Sequence, residues 1–266
     1  MAMPALNVAV TGLQIAEKDT QVHANNIANL KTPGFKKSIL QTSDLFYTTL
    51  KKAGVMENTA NGTSRPVGAQ LGSGARINGV YRVLEQGNFK FTGQPLDIAL
   101  KGPGYFAIAI PNFPNGRGYT RNGTFQVDAE TRMIVTANGD HLEGDYTIPD
   151  GVEMDKINIS PDGIISYTDD AGGQPEIGQI QLYTFPNEKG LEAVGNDMLV
   201  ETVGSGEGFV VADPNNKFVQ KYLEDSTTSS VQELTELISS QRAYELCTRI
   251  VKVADEMEKE ISSIKS

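Results

Sequence analysis

Apolar residues recur every three or four positions at both ends of this chain and every second position through its middle. Near the start, Leu6, Val10, Leu13, Thr20, Ala24 and Ile27 keep the helical spacing, interrupted only by Glu17. Near the end, Ala243, Cys247, Ile250, Ala254, Met257, Ile261 and Ile264 repeat it. This period predicts two amphipathic helices, each carrying a coiled-coil seam. A helix with one apolar stripe draws most of its stability from packing. The termini are therefore expected to pack on each other or on other copies, which points to an assembling subunit.

Pro4 suits the first turn of a helix, where its missing N–H costs nothing. That helix is expected to run to about Asn29 and stop before Thr32-Pro33-Gly34. Residues 35–50 are ambiguous. Lys51 to Gly79 contains Gly54, Gly62, Gly68, Gly72 and Gly74 with no helical period, and reads as an extended excursion or long hairpin. From Ala75 to about Phe209 short alternating runs lie between Asn122-Gly123, Asn138-Gly139, Asp150-Gly151 and Asp162-Gly163, predicting antiparallel β structure joined by tight turns. The chain returns through Gly204-Ser205-Gly206, and Ser230 with Glu233 has capping-box spacing before a second helix. Val231, Leu234 and Ile238 form one stripe of that helix, and another begins at Ala243. The change of phase near Gln241 and Arg242 reads as a stutter or as a turn of the buried face toward a second neighbour.

The expected fold class is α+β: N- and C-terminal coiled-coil-like helices packed together, with an inserted antiparallel β domain and a long excursion. The expected divisions are 1–34 (first helix), 35–80 (linker or hairpin), 81–204 (β domain), 205–229 (return linker) and 230–266 (second helix).

At 266 residues the chain can bury a core without staples. Its formal net charge of −10 is uneven: between Asp140 and Ile180, ten acids face only Lys156. Such a surface disfavours nucleic-acid phosphates and anionic membranes as partners, and otherwise reads as a solvated face. Cys247 is the only cysteine, so no intrachain disulfide framework exists, and on an apolar stripe it acts as a small hydrophobe. The first sixteen residues carry no charged side chain and lack the basic start of a secretory signal. The apolar stretch is also too short and polar to insert in a membrane. On these rules alone the protein reads as cytoplasmic.

Chemistry is sparse. The two histidines are His23, beside the first seam and expected to be packed or interfacial, and His141 in the acidic region. Neither has the companions a zinc site needs, and the serine-elbow, phosphate-loop and EF-hand patterns are missing. Asp169-Asp170 reads as a solvated turn rather than a cation site, and the triplets starting at Asn61, Asn122 and Asn158 are frequent by chance. No catalytic residue, metal site or cofactor is expected, so the chain does not read as an enzyme.

The run Ala24-Asn25-Asn26-Ile27-Ala28-Asn29-Leu30-Lys31-Thr32-Pro33-Gly34-Phe35-Lys36-Lys37 resembles the signature of bacterial flagellar rod and hook proteins. Gln241-Arg242-Ala243-Tyr244-Glu245, inside a heptad helix near the C-terminus, fits the same family. Between them, Gly87-Asn88-Phe89, Thr92 to Phe106 and Tyr119 to Phe125 resemble the start of its β domain. Pro66 to Ala75 looks most like the distal-rod members. Two departures stand out: Tyr105-Phe106 replaces the usual Phe-Phe, and Thr227-Thr228 replaces Asn-Val after Leu223-Glu224-Asp225-Ser226, which puts contacts near residue 227 in doubt.

The resemblance implies a structural subunit of the distal rod that self-assembles into a hollow helical drive shaft carrying torque from motor to hook. Its partners would be further copies, other rod proteins, the hook protein, the peptidoglycan-layer and outer-membrane bushing rings, and the flagellar type III export apparatus. Export by that route places the protein in a rod crossing the periplasm without a cleaved signal, replacing the cytoplasmic reading. Its helices would order only in the polymer. The expected assembly interface is Leu6, Val10, Leu13, Asn25, Asn26, Ile27, Asn29 and Phe35 at the N-terminal end, with Leu234, Ile238, Gln241, Arg242, Tyr244, Ile250, Met257 and Ile261 on the C-terminal helix. The competing readings are a sister rod subunit or hook-type protein of the same family, and a secreted surface-binding β module. The last would show a clustered aromatic groove, which the scattered aromatics here do not form.

Overall fold

The computed structural model describes residues 4–52, 56–58, 63–64, 67–111, 116–144, 146–169, 173–211 and 217–265. Gly54, Asn61, Gly62, Pro66, Asp145 and Asp170 lie outside the described residues. The chain divides into two compact units. The first joins Met1–Ile27, Ser38–Tyr81 and Ser229–Ser266, and the second joins Ala28–Lys37 and Arg82–Thr228.

The first unit holds both long helices, α1 (Pro4–Ala28) and α2 (Ser230–Lys265). Helix α1 starts at Pro4, as its fixed φ favours, and ends just before the Thr32-Pro33-Gly34 turn. In α2 the Glu233 N–H donates to Ser229 O at 2.9 Å, so the cap falls one residue earlier than the capping-box reading placed it. The Glu233 carboxylate instead reaches across to α1. The helix passes Gln241 and Arg242 without a break, so the phase change is a move of the apolar stripe around one continuous rod. Between the helices in sequence come β1 (Ser38–Asp44), β2 (Tyr47–Lys51), β3 (Met56–Asn58), β4 (Thr63–Ser64), β5 (Ala69–Gly72) and β6 (Ala75–Arg82). Their pairings nest, β1 with β6, β2 with β5 and β3 with β4. Every residue of β2 is exposed, because a two-stranded ribbon has no second layer to cover it.

The second unit is antiparallel β structure. Its strands are β7 (Phe89–Phe91), β8 (Ile98–Lys101), β9 (Tyr105–Ala109), β10 (Arg117–Thr120), β11 (Phe125–Val127), β12 (Ile134–Thr136), β13 (His141–Leu142) and β14 (Ile157–Ile159). They continue with β15 (Ile164–Tyr167), β16 (Glu176–Gln179), β17 (Leu182–Thr184), β18 (Glu192–Gly195), β19 (Met198–Val200), β20 (Phe209–Val210), β21 (Lys217–Gln220) and β22 (Tyr222–Glu224). The main sheet runs β11-β12-β13-β9-β10-β19-β18, with β17 linking β9 to β20, and β14-β15-β16 form a smaller sheet. Strand β9 is central and buried on both faces. Phe106 enters the larger cluster with Phe125, Ile134, Ile165 and Phe218, while Tyr105 and Ala107 join Tyr119, Tyr183 and Phe185. Phe106 and Phe125 meet edge to face at 5.1 Å, the arrangement the ring quadrupoles favour.

Two stretches differ from the sequence reading. Residues 205–229, expected as a return linker, carry β20, β21 and β22, which pair with β17, β8 and β7. Their strands are short and set among Gly, Pro and Asn, so composition hid them. Asn122-Gly123 does not close a hairpin, since β10 pairs with β9 and β19 while β11 pairs with β12. Gly123 is instead a crossing point: a Cβ there would lie 1.7 Å from Ile98 O. Gly123→Ala is therefore expected to destabilise this unit by about 3 kcal/mol or more through forced backbone movement. Thermal unfolding measures it, and an unchanged transition would refute the crossing.

Candidate assembly interface

Within the first unit α1 and α2 meet along a stripe of small and polar residues. On α1 it comprises Ala9, Gly12, Ala16, Asp19, His23 and Asn26, again at three- and four-residue spacing, displaced by one residue from the larger apolar set. On α2 it comprises Glu233, Ser240, Cys247 and Ala254, one per heptad. The approach is close, since a Cβ at Gly12 would stand 3.0 Å from Cys247 Sγ. Ser240 Oγ donates to Asp19, His23 Nδ1 lies 2.7 Å from Glu233 Oε2, and Asn26 Nδ2 donates to the same oxygen at 3.0 Å. Asn26, only 1% exposed, also exchanges two bonds with the Ser38 backbone, at 2.9 Å each. These contacts engage Gly12, Asp19, His23 and Asn26 of α1 with Cys247, Ser240 and Glu233 of α2.

The large aliphatic side chains are left outside. On α2, Ala243, Leu246, Ile250, Val253, Met257 and Ile264 form a second seam at spacings of three, four, three, four and seven residues. Leu246 is 56% exposed, Ile250 51% and Met257 49%. Earlier on the helix Val231, Leu234 and Ile238 are exposed on a different side, which is where the phase change near Gln241 and Arg242 shows itself. On α1, Val10 is exposed and Leu6, Leu13 and Ile27 are half-buried. Beside them a groove of about 630 Å³ lies between α1 and α2, lined by Glu17, Thr20, Gln21, Gln241, Tyr244 and Glu245.

The expected interface residues thus divide. Val10, Leu234, Ile238, Gln241, Arg242, Tyr244, Ile250, Met257 and Ile261 are exposed, and so is Asn25. Asn26 is buried within the chain, its amide occupied by Ser38 and Glu233. Asn29 and Phe35 belong to the second unit, where Asn29 accepts from Thr32 and Phe35 O accepts from Thr227 N–H at 3.2 Å. Leu246 and Val253, also exposed, lie outside the expected set, and the sequence reading passed over the seam of small residues because it weighted large aliphatics. The heptad recurrence of Glu233, Ser240, Cys247 and Ala254 was the available signal.

In the second unit the family-like motifs converge on one carboxylate. Glu224, 2% exposed, is paired with Lys36, accepts from Arg121 Nε at 2.7 Å and from Gly87 N–H at 2.7 Å. Lys36 also donates to Glu85 O at 2.6 Å, and Arg121 to Gly102 O at 2.6 Å and to Gly104 O. Burial alone would raise the Glu224 carboxyl, but Arg121, Lys36 and the Gly87 N–H more than offset it and hold it below its ordinary range. Gly34, at φ +71°, donates to Glu224 O at 2.8 Å, and a Cβ there would lie 2.8 Å from the Arg121 carbonyl. Thr-Pro-Gly-Phe-Lys, Gly87, Arg121 and Leu223-Glu224 are therefore parts of one knot.

Both departures from the family pattern are accommodated. The Tyr105 hydroxyl donates to Glu188 at 3.1 Å, and burial with the neighbouring Glu188 carboxylate pushes it well above the usual phenol range, so it stays a donor. Thr227 Oγ1 accepts from Lys37 N–H at 3.1 Å. Among the described residues no group of three metal-binding side chains occurs, and no helix is long and apolar enough to cross a membrane.

Comparison with known families matches three segments of the chain. The flagella basal body rod protein model matches residues 6–36, the flagellar hook protein FlgE/F/G D1 domain matches 99–167, and the flagellar basal body rod FlgEFG protein C-terminal model matches 219–264. The flagellar basal-body rod protein FlgG of Caulobacter vibrioides is 37% identical over 99% of this chain and 100% of its own. Those of Borreliella burgdorferi and Bacillus subtilis are 34% and 30% identical, over 96% and 98% of both chains respectively.

Proposed function

The chain belongs to the flagellar basal-body rod protein family, as a structural rod subunit most like its FlgG members, and we propose that its copies polymerise through the outward seams of α1 and α2. The polymer is a hollow helical drive shaft that carries torque from motor to hook. The observation that supports this is the division of labour on α2: small and polar residues face α1, while Leu246, Ile250, Val253, Met257 and Ile264 are left open at heptad spacing. Completing the burial of those five side chains contributes on the order of 5 kcal/mol per copy, enough to drive association when each copy meets several neighbours. Leu6, Val10, Leu13 and Ile27 supply the matching stripe on α1. Electron microscopy of concentrated protein tests this: tubular polymers are expected, and protein that stays monomeric at every concentration would sink the reading.

The nested pairs β1–β6, β2–β5 and β3–β4 are read as the arms of one long hairpin that wedges between neighbouring copies. The β2–β5 pair is exposed along almost its whole length, and such a ribbon is marginal alone and gains its stability from what covers it. Deleting residues 55–65 should leave polymers that bend more easily, measured as persistence length in micrographs. Unchanged bending would remove the wedge. In the cell the shaft is proposed to cross the periplasm after export without a cleaved signal. It would contact other rod proteins, the hook protein and the peptidoglycan-layer and outer-membrane bushing rings.

A further inference from the structure

We propose that Asn26, Glu233 and Ser240, which are buried, and Asp19 and His23, which are partly exposed, form a polar key that selects the register of α1 against α2. The relevant geometry is the repeat of the contacts. Gly12 faces Cys247, Asp19 bonds Ser240, and Asn26 bonds Glu233, so each advance of seven residues on α1 is matched by a retreat of seven on α2. The helices are antiparallel and keep this register over two heptads.

Apolar packing cannot choose this register by itself. The facing positions are Ala9, Gly12 and Ala16 on one helix and Cys247 and Ala254 on the other, all small, and a slip of one heptad places small residues against small residues again. The polar groups do discriminate. A slip in one direction carries Glu233 past Asn26 and His23, so the buried Asn26 amide loses its carboxylate, and sets Asp19 against Cys247 with only His23 of its own helix, at 3.4 Å, as partner. The opposite slip sets Asp19 against Glu233, two carboxylates face to face. The cost falls on the buried members, Asn26, Glu233 and Ser240, whereas the observed register gives each of them a partner. Asn26 extends the key to β1 through its two bonds with Ser38, so the stagger of α2 is referred to the strand as well as to α1.

The consequence for assembly rests on the seam reading above: fixing α2 fixes where its outward seam is presented. The register itself does not depend on that reading. Its test is an intrachain cross-link to the single native cysteine. A Cβ at residue 12 stands 3.0 Å from Cys247 Sγ, a separation that a disulfide accommodates, while Ala5 would reach Cys247 only after a one-heptad slip. Full-length Gly12→Cys and Ala5→Cys proteins are oxidised at a concentration where circular dichroism shows both helices formed. Intrachain bonds are then separated from interchain ones by size and mapped by mass spectrometry.

With the key intact, the residue-12 bond should exceed the residue-5 bond by roughly tenfold or more. In the His23→Leu/Glu233→Leu background, which removes the facing carboxylate and leaves no buried charge on α2's first turn, the two yields should converge to within about threefold. Glu233→Gln, which keeps an acceptor for His23 and Asn26, should retain the residue-12 preference. An unchanged preference in the double variant would assign register to packing and overturn the key. Loss of the helices in that variant would also overturn it, because the key is held to select register and not to supply the pair's stability. Failure to polymerise would leave this reading intact, since the bond forms within one chain.

Discussion

Ile250→Asp is expected to abolish polymerisation while the β unit still unfolds at the wild-type temperature. Ile250 lies mid-way along the outward seam of α2 and is half exposed in the single chain, so the substitution leaves the chain's own packing almost untouched. In the proposed polymer the same position is covered. The variant then loses the aliphatic contribution and must desolvate a carboxylate that has no donor, together about 4 kcal/mol or more. That corresponds to a critical concentration raised roughly a thousandfold. Sedimentation across a concentration series measures it, and Leu13→Asp is expected to behave alike. Full-length polymers at the wild-type threshold would show that neither stripe is an interface.

Glu224→Gln has the largest expected effect on the folded chain. Removing one partner from a buried charged cluster strands Lys36 and Arg121, at a cost of about 3 to 5 kcal/mol. The pH dependence follows from the depressed carboxyl. A group whose folded value lies below its ordinary 4.5 contributes stability above that pH and loses it as pH falls through the folded value. Wild-type protein should therefore lose stability steadily below about pH 4.5, and the variant, lower throughout, should lack this part of the acid limb. Chemical denaturation at pH 7 and at pH 3.5 separates the two curves. Parallel curves would mean that the carboxylate is not held by Lys36 and Arg121.

The terminal helices and the antiparallel middle were legible because their periods are long and regular. Turn chemistry at Asn138-Gly139 and Asp162-Gly163 was equally plain, with φ near +89° and +82° at the glycines. Asn122-Gly123 misled because the same dipeptide serves a close crossing as well as a hairpin, and only the proximity of Ile98 O distinguishes them. Strands β20 to β22 escaped because short edges among Gly and Asn carry little periodic signal. In the interface the large aliphatics were easy to see and the Ala-Gly-Ala-Asp-His-Asn seam was not. Its members are weakly hydrophobic, and their facing partners lie more than 200 residues away. Glu224 was quoted as a motif letter, but nothing local reveals that Lys36, Gly87 and Arg121 meet on it.

The outward seam of α2, open in the single chain, is proposed to be covered by another copy in the polymer. Thiol accessibility reads this directly in a Cys247→Ser background carrying either Val253→Cys on the seam or Lys252→Cys on the neighbouring solvent side. Both thiols should react rapidly in dilute protein. After polymerisation, position 253 should be protected by at least about tenfold while position 252 keeps most of its reactivity. Equal reactivity of position 253 in dilute and polymerised protein would contradict the account.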